Sequence, residues 1–361
     1  MPGNSAVPAP AAVERGGRAP ALEREPAALR VAALIDSATL SGPGRQLAAI
    51  AREVRQYGVE LVVILFRRSG RPSSPLVRHL EQVGVDHVEL PDHGPLDAGV
   101  ARRLASVLRE QAPDVVQTHS YRTTAIVALL RLAGLRLPWV AFQHGATAQD
   151  AKVRFYHWLD HRLAAGAERV VVMSERHRER WPRHVPKVRV IYNAVIPAVG
   201  APSAPESAAP VGPRPIFGVV GRLSFEKGVD VFLRACDVLR KRGRAFSAVV
   251  VGDGPELDRL LALRSQLGLA DVVGFRPSTA TVRSTYATLD ALVIPSRTEG
   301  LPNVLLEALA EDLPVVSTAV GAVPEVLQDP AAGLVVPAED PLALADAMAT
   351  VADGGRTPAA R

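Results

Sequence analysis

Apolar and polar positions alternate in blocks along this chain. A short apolar segment, RVAALI (30–35), precedes GPGRQLAAIAREVRQYG (42–58), in which Leu47, Ile50, Ala51 and Val54 recur at helical spacing. Further strand-like runs follow: VELVVILF (59–66), VDHVEL (85–90), DVVQTH (114–119), PWVAFQ (138–143), RVVVMS (169–174) and KVRVIYN (187–193). Helical stretches fall between most of them, at 96–111 and 123–133 for example. Apolar strands alternating with helices predict a parallel α/β sheet covered on both faces.

The pattern breaks at 193–215, where Pro, Ala and Ser dominate without periodicity, as in an inter-domain linker. It resumes with IFGVVGRL (216–223), AFSAVVVG (245–252), DVVGF (271–275), ALVIPS (291–296), PVVST (314–318) and GLVVP (333–337). Helices are expected at 229–242, 255–267, 281–289, 303–310 and 342–350. The expectation is therefore a disordered tail at 1–29, a Rossmann-like domain at 30–196, a linker at 197–215 and a second Rossmann-like domain at 216–361. Ligands bind such sheets at the carboxyl ends of their strands, and two facing halves make a cleft.

Composition narrows the partners. The 361 residues are 48% hydrophobic and 22% charged, enough apolar material for two cores, and the formal charge of +5 is modest. That charge permits anionic partners without requiring them, and no nucleic-acid module is present. Cys236 is the single cysteine, so neither an intrachain disulfide nor a cysteine-built metal site is available, which fits a reducing compartment. No apolar run approaches the roughly 20 residues that span a bilayer. The N-terminus has Pro, Gly and charges where a signal peptide needs an apolar stretch. The expectation is a cytoplasmic protein. The segments KVRFYHWLDHRL (152–163) and RHRERWPRHVPKVR (176–189) mix basic and aromatic residues; each reads either as a dock for anionic lipid at the membrane face or as an ordinary helix and solvated loop.

Candidate chemistry gathers at strand ends. In GRLSFEKG (221–228), Arg222 and Lys227 follow a strand, and two cations there suit a diphosphate, although surface loops also carry such pairs. Gly42 and Gly44 in SGPG let backbone approach a phosphate at a helix start, or simply make a turn; the spacing is not Gly-x-Gly-x-x-Gly. Gly252 and Gly254 in VGDGPE read as turn residues. His119 and His144 stand near strand ends, where a histidine binds, shuttles a proton or is structural, and both are expected toward the cleft; His184 lies in a basic, non-strand segment. The stretch SRTEGLPNVLLEALA (296–310) places Glu299 before a helix start and Glu307 inside an apolar helix, on the face opposite Leu301, Leu305 and Leu309. Glu299 could merely complement the helix dipole and Glu307 could be solvated, but apolar neighbours sit uneasily around a solvated acid.

GRLSFEKG, VVGDGPE, IPSRTEGLPNVLLEALA, LPVVSTAVGAVPEVL and GLVVPAEDPLALADAM together resemble the C-terminal half of family 4 glycosyltransferases, retaining enzymes of the GT-B fold. SGPG, PDVVQTHS, VAFQHG and VIYNAV resemble the N-terminal half more loosely. The resemblance covers roughly residues 31–350. It implies an acceptor domain followed by a nucleotide-sugar donor domain. By that resemblance, Arg222 and Lys227 would bind the donor diphosphate, Glu307 the ribose hydroxyls and Glu299 the transferred sugar. The backbone of Gly300, Leu301 and Asn303 would touch sugar and phosphate, while Gly42 and Gly44 would approach the diphosphate. His119 would lie beside sugar and acceptor, His144 is expected in the donor site, and the base is expected near Gly274 and Arg276.

No Asp-x-Asp occurs, so fixed cations are expected to replace a metal, with no cofactor beyond the nucleotide-sugar substrate. The acceptor is a hydroxyl of a glycan, a lipid-linked sugar or a small molecule, and nucleic acid is not a partner. Three departures stand out. Pro43 interrupts the small-residue loop, Glu311-Asp312 replaces a small or Cys-Gly pair, and the chain stops at Arg361 where relatives continue into a helix crossing back to the first domain. The expected fold is thus GT-B-like with that crossing helix missing. A sugar-nucleotide epimerase and a non-catalytic nucleotide-sugar binder remain as alternatives.

Overall fold

Every apolar run named above overlaps a strand. The structure is a computed structural model that describes residues 28–37, 39–94, 97, 99–145, 151–182, 187–195, 215–277 and 283–353. The first half holds β1 (Leu29–Ile35), β2 (Val59–Arg68), β3 (His87–Asp92), β4 (Val115–Thr118), β5 (Trp139–Gln143), β6 (Arg169–Val172) and β7 (Val188–Val190). The second holds β8 (Ile216–Val220), β9 (Ser247–Val251), β10 (Val273–Arg276), β11 (Ala291–Ile294), β12 (Val315–Thr318) and β13 (Gly333–Val336). The first sheet has the order β3-β2-β1-β4-β5-β6-β7 and the second β10-β9-β8-β11-β12-β13. Pairing is parallel from β3 through β5 and throughout the second sheet. The expected tail at 1–29 and linker at 197–215 lie almost wholly outside the described residues.

The described residues fall into two compact units. One runs to Phe142 and includes Trp158–Val170; the other comprises Gln143–His157 and everything from Val171 onward. In the first unit, Val31 and Ala33 of β1 and Val63 and Leu65 of β2 pack on Leu47 and Ala48 of helix Gly42–Glu53, and on Leu76 and Leu80 of helix Pro75–Gln82. In the second, Phe217, Val219 and Val250 meet Phe232, Leu233, Cys236 and Leu239 of helix Val229–Lys241, and Leu344 and Met348 of helix Pro341–Ala352. Strands β8, β9, β11 and β12 are buried along their whole length, which is why they read as apolar runs without alternation. Each large aliphatic or aromatic side chain so buried contributes about 1.5–3 kcal/mol.

Helix limits moved for local reasons. Helix Tyr121–Leu132 starts before residue 123 because Ser120 and Thr123 form a reciprocal capping box. The helix expected from 255 begins at Leu257, since Pro255 lies in a turn and Glu256 N–H is bonded to Leu223 O. The helix expected at 281–289 is the single turn Arg283–Tyr286, with 281–282 outside the described residues; Thr288 and Leu289 then turn the chain into β11. Helix Pro75–Gln82 was not expected, although Ser74 caps it and Pro75 opens it, a legible start signal.

Candidate active site

Each sheet reverses its strand order beside the first strand of its half, between β1 and β4 and between β8 and β11. Loops leaving two such strands pass to opposite faces and open a crevice at the carboxyl ends. In the second unit these loops are 221–228 and 295–302, the two that carry Lys227 and Glu299.

Glycine lets the loops meet. Phe225–Lys227 form one 3-10 turn closed by Gly228 at φ 63°, and a Cβ on Gly228 would lie 2.0 Å from Pro295 O. The packed turn carries Lys227 Nζ to 2.6 Å from Glu299 Oε1, and Ser296 Oγ donates to the same oxygen at 2.7 Å. Glu299 retains 11% side-chain exposure and Lys227 29%, so the pair is shielded yet reachable. Ser296 O in turn accepts from Thr318 Oγ1 at 2.6 Å, anchoring the loop to β12.

Arg297 locks the same two loops from behind. Its guanidinium donates to both oxygens of Asp230 at 2.8 and 2.9 Å and to Phe225 O at 2.7 Å, lies 4.1 Å from the Phe225 ring centroid and pairs with Glu339. Burial would raise the Asp230 carboxyl pKa, but the bonds and charge of Arg297, aided by Arg234, outweigh it and hold it below the ordinary value. The bond from Arg297 to Asp230 likewise raises the arginine's own pKa. Sequence reasoning assigned nothing to this pair, although an acid inside the apolar run VDVFL called for a partner.

Gly300 sits where no side chain fits. A Cβ there would come within 2.1 Å of His144 O, and a Cβ on Gly321 within 2.1 Å of Gly300 O. Gly300 O accepts from Ala322 N at 2.7 Å. Helix Asn303–Ala310 begins just beyond, with Pro302 as its N-cap. Leu301 and Leu305 are buried beneath the helix start. Glu307, one turn in, accepts from Tyr286 Oη at 2.7 Å, so the structure gives the two acids separate partners. Burial, with the neighbouring His177, pushes the His144 pKa down to about 4 and keeps the imidazole neutral.

The other expected residues are more dispersed. Arg222 is exposed in the loop after β8, and Arg276 ends the edge strand β10. Gly252 and Gly254 pack on the backbone of Gly221 and Leu223, in keeping with the turn reading. In the first unit, Ser41 caps helix Gly42–Glu53 and takes the Gly44 N–H at 3.3 Å, and a Cβ on Gly44 would reach 2.9 Å from Leu76 Cδ2. His119 follows β4, is buried, stacks on Phe142 at 4.5 Å and has Nε2 3.4 Å from Gln117 Oε1. His184 lies outside the described residues.

Comparison with known proteins now decides the family. The model described as Glycosyltransferase Family 4 matches residues 40–199, and that of Glycosyl transferases group 1 matches 214–353. The 2-deoxystreptamine N-acetyl-D-glucosaminyltransferase of Streptomyces fradiae is 30% identical over 337 residues, covering 83% of this chain and 79% of that one. This chain belongs to glycosyltransferase family 4.

A shorter match joins this glycosyltransferase to the GDP-mannose-dependent alpha-(1-6)-phosphatidylinositol monomannoside mannosyltransferase of Mycobacterium tuberculosis, 36% identical over 148 residues, 38% of each chain. In fold it is similar to HepE of Anabaena, solved with UDP, at TM-score 0.73 and 19% identity over 91% of this chain and 92% of that one. The glycosyltransferase thus has the two parallel-sheet α/β domains of the GT-B class.

Among the described residues no helix is long and apolar enough to cross a membrane. Helix Ala151–Ala164 exposes Phe155 and Trp158, and Arg162 Cζ lies 6.0 Å from the Trp158 ring centroid. In the second basic segment Trp181 is buried, and 183–186 lie outside the described residues.

Proposed function

We propose that this glycosyltransferase moves a sugar, with retention, from a nucleotide-diphosphate sugar to an acceptor hydroxyl without a metal. The observation that carries the reading is Lys227 and Ser296 converging on Glu299 beside the start of helix Asn303–Ala310. As the anomeric C–O bond breaks, negative charge collects on the leaving diphosphate. Lys227, Arg222 and the N–H groups at that helix start supply fixed positive potential, which costs no reorganisation during the reaction.

Glu299 then holds sugar hydroxyls through the oxygen its neighbours leave open, and Glu307, oriented by Tyr286, takes the ribose. The backbone of Gly300, Leu301 and Asn303 follows sugar and phosphate, with His144 beside it. Arg276 stands toward the base. In the first unit, Gly42 and Gly44 are assigned to phosphate and His119 to sugar and acceptor on the family resemblance; Gly44 makes that contact only if its N–H leaves the Ser41 cap. The acceptor attacks from the face the diphosphate leaves, and a leaving phosphate oxygen takes its proton. The alpha linkage in the mycobacterial relative's name, with GDP-mannose as donor, and the UDP bound to HepE support this reading. The acceptor is a glycan, a lipid-linked sugar or a small molecule, and a small-molecule acceptor is in the Streptomyces relative's name.

The reading is of a cytoplasmic enzyme. Peripheral contact with anionic lipid is supported by helix Ala151–Ala164, where Arg154, Phe155, Trp158 and Arg162 fall on one exposed stripe.

A thermal-shift screen of UDP, GDP and ADP with their sugars, followed by transfer and hydrolysis assays with NMR of the product anomer, tests the function. One nucleotide should stabilise the protein and its sugar should turn over with retention. Binding without any turnover would make the protein a nucleotide-sugar binder; interconversion of donor sugars would make it an epimerase.

A further inference from the structure

Two adjacent residues with no part in the reading above, Tyr192 and Asn193, tie into segments packed about Gly300: Asn193 bonds the start of the following helix, and Tyr192 bonds the Glu325 carboxylate. Asn193 Nδ2 donates to Leu301 O at 3.2 Å and to Asn303 Oδ1 at 3.1 Å, tying down the helix start. Tyr192 Oη donates to Glu325 Oε2 at 2.7 Å. Glu325 also accepts from Glu175 N at 2.8 Å and Arg176 N at 2.9 Å, so three donors fix one carboxylate. Glu325 belongs to the turn Val323–Val326, directly after the 319–322 loop. That loop is held at Ala319 O by Arg176 Nη1 at 3.3 Å, and at Ala322 N by Gly300 O at 2.7 Å.

The geometry leaves little slack. Gly300 is wedged between His144 O on one side and Gly321 on the other, at separations that exclude a Cβ from either glycine. A shift of a few tenths of an ångström in the 319–322 loop therefore moves Gly300 and its neighbours. Tyr192 is 43% exposed, so its bond to Glu325 adds little to global stability; its effect is on position.

We infer that Tyr192, Asn193 and Glu325 are positioning residues that fix the Gly300–Asn303 backbone at the height the donor requires. The inference rests on the donor-site reading above for its kinetic consequence, and on geometry alone for the clamp itself.

Hydrogen exchange by mass spectrometry on the full chain without ligand tests the clamp: Glu325→Ala and Asn193→Ala should each speed exchange in the peptides spanning 300–305 and 319–326. Steady-state kinetics with the donor found by the nucleotide screen tests the consequence. Each variant should raise donor KM about 5–20-fold with a smaller change in kcat and a near-wild-type melting temperature. Glu325→Gln should recover part of the effect, because its amide oxygen still accepts a backbone bond, and Tyr192→Phe should lie between wild type and Glu325→Ala. Unchanged exchange in both peptides overturns the inference, as does faster exchange with donor KM within twofold of wild type. A wild type that binds no nucleotide while the variants still loosen these peptides would overturn the donor-site reading and leave the clamp standing.

Discussion

Lys227 and Ser296 donate to the same oxygen of Glu299, at 2.6 and 2.7 Å, and among the described residues no hydrogen bond ends on the other oxygen. One carboxylate thus has a fixed half and an open half. The fixed half sets its orientation, and the open half is available to a ligand hydroxyl. Lys227→Met should lower the transfer rate about 10²–10³-fold, the cost of removing one preorganised charge beside a developing oxyanion. Glu299→Gln should fall by a similar factor. Initial-rate assays on folded variants check both, and a Lys227→Met enzyme with more than half the wild-type rate would remove Lys227 from the chemistry.

Glu307 should matter to nucleotide affinity more than to chemistry. Glu307→Ala should weaken nucleotide binding about tenfold or more, roughly 1.4 kcal/mol. Tyr286→Phe, which removes only the orienting bond to Glu307, should lose less. Calorimetric titration of the nucleotide found in the screen reads both, and an unchanged affinity in Glu307→Ala would take that residue out of the site.

Gly300→Ala is a steric test. The new methyl would sit 2.1 Å from His144 O, backbone that cannot rotate away. A destabilisation of about 1–3 kcal/mol is expected, with nucleotide binding impaired beyond it. A variant as stable and active as wild type would contradict the close packing.

Asp230 links stability to pH. Its folded pKa lies below the ordinary value of 3.8, so its contribution is fully present above about pH 4 and fades as pH falls through the folded value. Asp230→Asn should therefore cost about 3 kcal/mol at pH 7, because Arg297 loses its buried counter-charge and keeps only the exposed Glu339, and the gap from wild type should narrow below pH 4. Urea melts of both proteins at pH 7 and pH 3 measure this; a constant gap would mean that the charge pair is not its source.

The stripe on helix Ala151–Ala164 carries its own prediction. The full chain should co-sediment with phosphatidylglycerol vesicles and less with phosphatidylcholine, and the double change Phe155→Ser, Trp158→Ser should reduce binding about tenfold or more. Equal binding to both lipids, or none to either, would leave the stripe an ordinary surface.

Much of the fold was legible because buried parallel strands need continuous apolar runs, and those runs stand out between amphipathic helices. Runs such as AVVV in β9 and ALVI in β11 have no other stable place in a chain of this kind. That the acids of the 296–310 stretch needed partners was legible for a related reason: a carboxylate beside apolar neighbours is costly to leave unpaired. Their partners were not. Tyr286 stands in RSTYATL with no local pattern around it, and Asn193 closes a strand-like run as many asparagines do. Each acquires meaning only from a residue more than 20 positions away, Tyr286 from Glu307 and Asn193 from Leu301 and Asn303.

By itself, then, the sequence determined the two alternating α/β halves, the strand positions and the short motifs at their ends, since local periodicity and turn chemistry are properties of neighbouring residues. Only the tertiary structure decided which motifs meet. The order β9-β8-β11 brings the loops after β8 and β11 side by side although they are some 70 residues apart, and the missing side chain of Gly228 lets them touch. Lys227 and Glu299 thereby became one ion pair with Ser296, where the sequence had offered a phosphate ligand and a sugar ligand to be considered separately. Such a pairing depends on strand order, and strand order is fixed by packing across the whole sheet.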